Sequence, residues 1–133
     1  MKSSKKPGVV VNIIKEDKGY GATAKIGDTF IATNGDSFDE LKVMIVDAVN
    51  LAVEDEELQY SFDEFELVYD MESFFSFYKV INAKALSKRI GMNQSLLSQY
   101  ISGIKKPSSK QTHRILQGVH QIGRELSEVR FLL

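Results

Sequence analysis

The apolar positions in the first part of the chain follow a strand-like pattern. Gly8–Asp17 is short and rich in valine and isoleucine, which favours a β-strand. Over Tyr20–Ile26 small and apolar residues alternate with polar ones, which predicts a second strand with one buried face. Gly27 and Asp28 fit a two-residue hairpin turn with glycine first, so we expect Thr29–Thr33 to return as the third strand.

A helix and a fourth strand complete the pattern of this half. Ser37 followed by Glu40 fits a capping box at a helix start, and apolar residues then recur at spacings of three and four. Alternation of apolar and acidic residues over Phe65–Tyr69 predicts a strand with one solvent-exposed acidic face. The order strand, strand, strand, helix, strand predicts an α+β domain over residues 1–70, built as a small antiparallel sheet with one helix on a face.

The pattern changes to a helical one over residues 71–133. Ala83–Ile90 is helix-forming and ends at Gly91, where we expect a positive φ. A second helix is predicted over Gln94–Ser102 with Asn93 as its cap. The positions around the glycine that a helix-turn-helix must bury carry apolar or small residues. They are Leu86, Ser87, Ile90, Met92, Leu97 and Tyr100.

A last helix is predicted from about Ser109 toward Leu132, because apolar residues repeat there at spacings of four and three. This helix is longer than a small domain needs, so its far end is expected to bury itself in a second subunit. The chain is therefore expected to form a homodimer or a higher homo-oligomer. A dimer would also place two reading helices one DNA turn apart.

Charge is divided unevenly between the two halves. Residues 1–78 carry 7 Lys and Arg against 16 Asp and Glu, a net charge of −9, whereas residues 79–133 carry 10 against 2, a net charge of +8. The basic half suits a polyanion such as nucleic acid, and the acidic half, which repels it, suits a basic protein. The alternative is that the two halves attract each other within one compact fold.

The polar side chains that are not needed for the core between the two short helices are suited to bind duplex DNA. Short uncharged donors and acceptors near the start of the second helix match base edges in a major groove. Flanking cations and the start of the next helix match phosphates. The base-reading candidates are Asn93, Gln94, Ser95, Ser98 and Gln99. The phosphate candidates are Lys84, Lys88, Arg89, Lys105, Lys106, Ser108 and Lys110. The competing interpretation is a polar helical hairpin in a plain bundle.

The sequence leads us to expect no enzyme activity, no metal centre and no bound cofactor. The absence of cysteine excludes a disulfide scaffold, a cysteine zinc site and a thiol nucleophile, and it favours a cytoplasmic protein. No apolar run is long enough to span a bilayer, so no membrane partner is expected. His113 and His120 have no paired ligand nearby in the sequence. A metal-dependent nuclease using Asp28 or Asp36 is the remaining enzymatic alternative, although turn chemistry explains both residues.

Two segments resemble known families. Ala85–Tyr100, which reads ALSKRIGMNQSLLSQY, resembles an Xre-type helix-turn-helix together with Ser102, Gly103 and Lys105–Ser108 after it. Thr33–Leu41, which reads TNGDSFDEL, is similar to the helix opening of HicB antitoxins. The resemblance implies a partial RNase H-like fold without nuclease residues, joined to an all-α DNA-binding domain.

The same resemblance implies a function for the pair of domains. Proteins of this kind neutralise a small basic RNase toxin, HicA, and repress their shared operon, here by binding double-stranded DNA at a palindromic operator. The family often has an Asp-Leu-Pro-Gly segment between its second and third strands, where this chain has only Lys25–Asp28. The alternative is a stand-alone helix-turn-helix regulator whose amino-terminal domain dimerises or senses a ligand.

Overall fold

The computed structural model describes residues 6–133, and these divide into two compact units with the boundary between Phe74 and Phe75. The domain predicted from the sequence over residues 1–70 begins with five residues that lie outside the described part. The class is α+β, with a four-stranded sheet and five α-helices in the part of the chain described.

The first unit is a sheet with one long helix on one face. Its strands are β1 (Val9–Lys15), β2 (Tyr20–Ile26), β3 (Thr29–Gly35) and β4 (Phe65–Tyr69), and its long helix is α1 (Phe38–Ala52). The spatial order is β3-β2-β1-β4. The helix packs on β2 and β3 and buries Leu41, Ile45 and Val49 toward the sheet. Each such side chain contributes ~1.5–3 kcal/mol when it leaves water.

The helix start confirms the predicted cap. The Ser37 hydroxyl accepts a hydrogen bond from the Glu40 backbone N–H at 3.1 Å. The Glu40 carboxylate accepts from the backbone N–H of Asp36, also at 3.1 Å, rather than from that of Ser37. The reciprocal pair of bonds is therefore present, with one partner displaced by a residue from the usual capping box.

The predicted antiparallel sheet is wrong for one pair of strands. The β1–β2 and β2–β3 pairs are antiparallel, but β4 runs parallel to β1, with Val11 opposite Leu67 and Ile13 opposite Tyr69. The reason is the crossover. Three antiparallel strands leave β3 running in the direction of β1, and the 15-residue α1 carries the chain back, so β4 starts at the same end as β1.

Two side chains anchor this crossover, and the sequence pattern did not reveal either. Asn50, near the end of α1, accepts from the Tyr60 N–H at 2.8 Å and donates to the Tyr60 carbonyl at 3.1 Å, as a neighbouring strand would. The Tyr60 hydroxyl donates to the Pro7 carbonyl at 2.7 Å, just before β1 begins. These bonds bring the chain to the outer side of β1, where β4 pairs.

The second unit is helical. The chain passes through α2 (Met71–Phe77) and continues with α3 (Ala83–Ile90), α4 (Gln94–Ile101) and α5 (Ser109–Ser127). The observed α3 has the predicted bounds, and α4 is one residue shorter than predicted because Ser102 caps it.

The predicted extension of the last helix toward Leu132 is wrong. Glu128 is the C-cap of α5, and residues 129–133 are not helical. Val129, Phe131 and Leu132 are exposed, so the described chain provides no apolar surface against which a further turn could pack. Since helical stability comes mainly from packing of an apolar face, the last turn is not sustained.

Two glycines of α5 occupy different environments and give a matched test of α3–α5 packing. A Cβ at Gly118 would collide with Ile90 Cγ2 and lie 3.3 Å from Leu86 Cδ1, whereas a Cβ at Gly123 would meet nothing within 4 Å. We expect Gly123→Ala to stabilise the second unit by ~0.5–1 kcal/mol, because alanine favours a helix. Gly118→Ala should destabilise it by about 1 kcal/mol, because overpacking outweighs that gain.

Urea unfolding followed by the amide NMR signals of α3 and α5 measures both variants. Equal effects of the two substitutions would contradict the close approach of α3 and α5.

Candidate nucleic-acid interface

The turn between α3 and α4 fixes how these two helices meet. Gly91 has φ +67°, the left-handed conformation predicted for it, and no non-glycine residue among 6–133 has a positive φ. The Met92 N–H donates to the Ser87 carbonyl at 2.9 Å, the long bond of a Schellman motif. An ordered C-cap therefore ends α3, and the chain turns directly into the next helix.

Arg114, which lies on α5, holds this turn from outside. Its Nη2 donates to the carbonyls of Ile90 and Gly91, both at 2.8 Å. These are carbonyls at the end of α3 that no further helical turn can satisfy, and a guanidinium also suits the negative end of the helix dipole. The contact joins positions more than twenty residues apart, so no local pattern in the sequence signals it.

A small core lies beneath the two helices. Leu86 of α3, Leu97 of α4 and Ile115 of α5 are buried, and Leu97 has no exposed surface. Ser87 is buried as well, and its hydroxyl donates to the Lys84 carbonyl at 2.7 Å, so no polar atom is left without a partner there. Of the positions predicted to be buried, Ile90 is only half-buried.

The base-reading candidates share one exposed face. Leu97 and Tyr100 bury one side of α4, and the candidates at spacings of one, four and five lie on the other side. Asn93 precedes the helix as its N-cap, and its side-chain oxygen accepts from the Leu96 N–H at 3.1 Å. Its amide NH₂ remains available as a donor. All five candidates, Asn93, Gln94, Ser95, Ser98 and Gln99, are exposed.

The phosphate candidates are also exposed, and five of them are lysines without an ion pair among residues 6–133. These are Lys84 and Lys88 on α3, Lys105 and Lys106 after α4, and Lys110 on α5. The Lys105 N–H donates to the Gln99 carbonyl at 3.1 Å, which ties the loop to the end of α4. Ser108 caps α5, and its hydroxyl accepts from the Gln111 N–H at 3.2 Å.

Arg89 differs from the other phosphate candidates because it is already paired. Its guanidinium donates to both carboxylate oxygens of Glu125, at 2.8 and 3.0 Å. Hydrogen bonds from Arg89 and then from Gln121 lower the pKa of Glu125 to about 2. A phosphate that binds Arg89 must compete with this carboxylate.

The carboxylates of the acidic unit were the other candidates for a site. Within residues 6–133, no group of three or more His, Asp or Glu side chains is placed to hold a metal ion. Asp28 lies in the β2–β3 turn and Asp36 just before α1, and both are exposed. None of the helices formed by residues 6–133 has the length and apolar character needed to cross a membrane.

Comparison with known proteins adds no relative. No protein-family model, curated protein or solved structure matches this chain. The resemblance to HicB antitoxins and to Xre-type domains therefore rests on the sequence motifs alone. The geometry of α3, α4 and the lysines around them carries the functional argument.

The Arg89–Glu125 pair predicts a measurable titration. Glu125 should titrate near pH 2 in an NMR experiment, and in Arg89→Met its pKa should return toward the ordinary value of 4.5. Because the folded-state pKa is depressed, the stabilisation from this pair is fully present above about pH 4.5 and is lost as the pH falls toward 2. An unchanged Glu125 pKa in Arg89→Met would show that the pair is not the cause.

Proposed function

We propose that the second unit binds double-stranded DNA by placing α4 in a major groove, and that the protein represses its own operon. The observation that carries this proposal is the uncharged polar face of α4, held by the Gly91 turn and accompanied by five lysines that form no ion pair with residues 6–133. Amide and hydroxyl groups discriminate base edges, while lysines bind phosphates without regard to sequence. Base contacts from α4 and phosphate contacts from the lysines around it support the proposal that the unit is an all-α helix-turn-helix domain.

A palindromic operator and a homodimer belong to the same proposal. The end of α5 and the segment after it expose apolar side chains: Leu126 is 62% exposed, Val129 50% and Phe131 86%. Exposed apolar surface of this kind favours association. A twofold dimer would present two α4 helices to two half-sites.

The first unit is proposed to neutralise a small basic RNase toxin, which makes the chain a HicB-like antitoxin in the cytoplasm. Its excess of carboxylates supports a cationic partner, because complementary charge steers association and suppresses wrong partners. Three antiparallel strands followed by a helix and a parallel strand also support the partial RNase H-like fold that the resemblance implies.

Two substitutions separate base reading from phosphate binding. Gln99→Ala should cost roughly 1–3 kcal/mol of binding free energy and relax discrimination at one base pair. Lys105→Ala should weaken binding to all sequences alike and reduce the salt slope by about one. Fluorescence anisotropy against the protein's own promoter and against scrambled duplexes measures both. Identical behaviour of the two variants would contradict the assigned roles.

The antitoxin proposal is tested with the product of the neighbouring gene. Co-expression of the two proteins should yield a stable complex of this chain with a small basic RNase, and the complex should have no RNase activity. A neighbouring gene whose product is not a basic protein, together with intact operator binding, would instead favour the stand-alone regulator whose first domain dimerises or senses a ligand.

A further inference from the structure

The strand β3 forms one edge of the sheet. In the sheet order β3-β2-β1-β4 the strand lies at one end, and no strand formed by residues 6–133 pairs with its outer side. Phe30 in the middle of this edge is 68% exposed, and Ala32 and Asn34 are exposed as well. An edge strand of this kind presents backbone donors and acceptors to any segment that can lie beside it.

The hairpin geometry determines which residues present these groups. A two-residue turn closes with a hydrogen-bonded pair, here Ile26 opposite Thr29, and bonded pairs then alternate along the ladder. Gly27 has φ +58° while Asp28 does not have a positive φ, as in a type II′ turn. The residues of β3 that bond to β2 are therefore Thr29, Ile31, Thr33 and Gly35, and the N–H and C=O groups of Phe30, Ala32 and Asn34 face outward.

The other hairpin of the sheet gives the same alternation independently. The Glu16 N–H donates to the Gly19 carbonyl at 3.1 Å, which makes that pair a bonded one. Alternation from that pair makes Gly21 and Thr23 the residues of β2 whose backbone groups bond to β1. The alternate residues of β2, Ala22 among them, therefore bond to β3, as the β2–β3 turn requires.

The edge lacks the usual protection against added strands. None of the seven residues of β3 is charged and none is proline, whereas β4 at the opposite edge carries Glu66 and is flanked by Glu64 and Asp70. Charged residues on an edge are a common device against unwanted pairing. The β3 edge is therefore the one suited to receive a strand.

Charge at the two ends of β3 distinguishes the possible occupants. Asp28 precedes the strand and Asp36 follows it, and both are exposed. A second copy pairing antiparallel about Ala32 would set Phe30 opposite Asn34, and it would also set Asp28 opposite Asp36 at both ends. Like charges placed directly opposite destabilise a strand pair. A segment flanked by lysine or arginine would gain from the same two carboxylates.

We propose that the β3 edge binds an extended, uncharged segment of a basic protein as an added strand, with cationic residues of that segment beside Asp28 and Asp36. This deepens the antitoxin function and rests on it, because it names the edge and the chemistry by which the first unit would hold its partner. Main-chain hydrogen bonds provide affinity in such additions, and flanking or alternate side chains provide specificity.

The test uses the full chain and two synthetic peptides, Lys-Lys-Thr-Val-Thr-Val-Thr-Lys-Lys and its counterpart with glutamate in place of lysine. In the free protein, NMR should show fast solvent exchange at the amides of Phe30, Ala32 and Asn34 and slow exchange at Ile31 and Thr33. At a concentration about ten times its Kd, the lysine peptide should slow the three outward amides by about tenfold, because exchange then proceeds only from the peptide-free fraction. The glutamate peptide should leave them unchanged.

Substitutions at the edge provide the matched controls. Ala32→Pro removes an outward donor without removing a bond to β2, so it should abolish peptide binding while Ile31 and Thr33 stay protected. Ala32→Thr keeps the donor and should keep binding. Should Ala32→Pro fail to fold, the double variant Asp28→Lys, Asp36→Lys provides the second test, and it should prefer the glutamate peptide.

Several results would overturn the proposal. The first three are equal binding of the two peptides, protection of amides in β4 instead of β3, and no protection of β3 amides by the lysine peptide. The fourth is protection of β3 amides that grows with protein concentration in the absence of peptide, because that result would identify a second copy as the occupant. A neighbouring-gene toxin that binds Ala32→Pro as tightly as wild type would refute this edge while leaving the antitoxin function intact. Absence of any basic partner would refute the antitoxin function. Binding of the lysine peptide would in that case still show that the β3 edge accepts an added strand.

Discussion

The relation between α3 and α4 depends on the turn at Gly91 and on the guanidinium that holds it. A residue with a Cβ is strained at φ +67°. Arg114 donates to the carbonyls of Ile90 and Gly91, which have no N–H donor from a further helical turn. An eight-residue helix such as α4 is marginal in isolation. Packing of Leu97 beneath α4 and the turn held by Arg114 before it therefore give α4 a defined orientation. The proposed placement of this helix in a major groove requires such an orientation.

The separation of charge between the two units supports the different partners that we propose for them, for a physical reason. Exposed charges contribute little to folding stability, so a −9 and a +8 region gain little from each other as structural elements. The same charges act strongly on association rates and on the choice of partner. In the proposed function the cations meet phosphates and the carboxylates meet a cationic protein, so each region acts where its charge has the larger effect.

Features that depend on neighbouring residues could be predicted from the sequence. The Ser37 and Asn93 caps, the left-handed Gly91 and the bounds of α3 follow from residues within one helical turn, and the structure confirms them. The turn at Gly27 follows from two adjacent residues in the same way.

Features that depend on distant residues could not be predicted. The parallel pairing of β4 relies on Asn50 and Tyr60, and the clamp on Gly91 relies on Arg114. The end of α5 at Glu128 goes with the exposure of Val129 among residues 6–133, and no local pattern in the sequence encodes that exposure. The same distinction applies to the candidate site. The polar face of α4 can be predicted from residue spacing, whereas the pairing of Arg89 with Glu125 joins two helices and cannot be predicted in this way.

The most direct test of the central claim is the salt dependence of DNA binding by the full chain, measured by anisotropy with a duplex of its own promoter over a series of KCl concentrations. Five lysines that neutralise phosphates predict a log–log slope of about −4 or steeper. Binding that does not change with salt, or no binding at low salt, would contradict the assignment of the second unit as a DNA-binding domain.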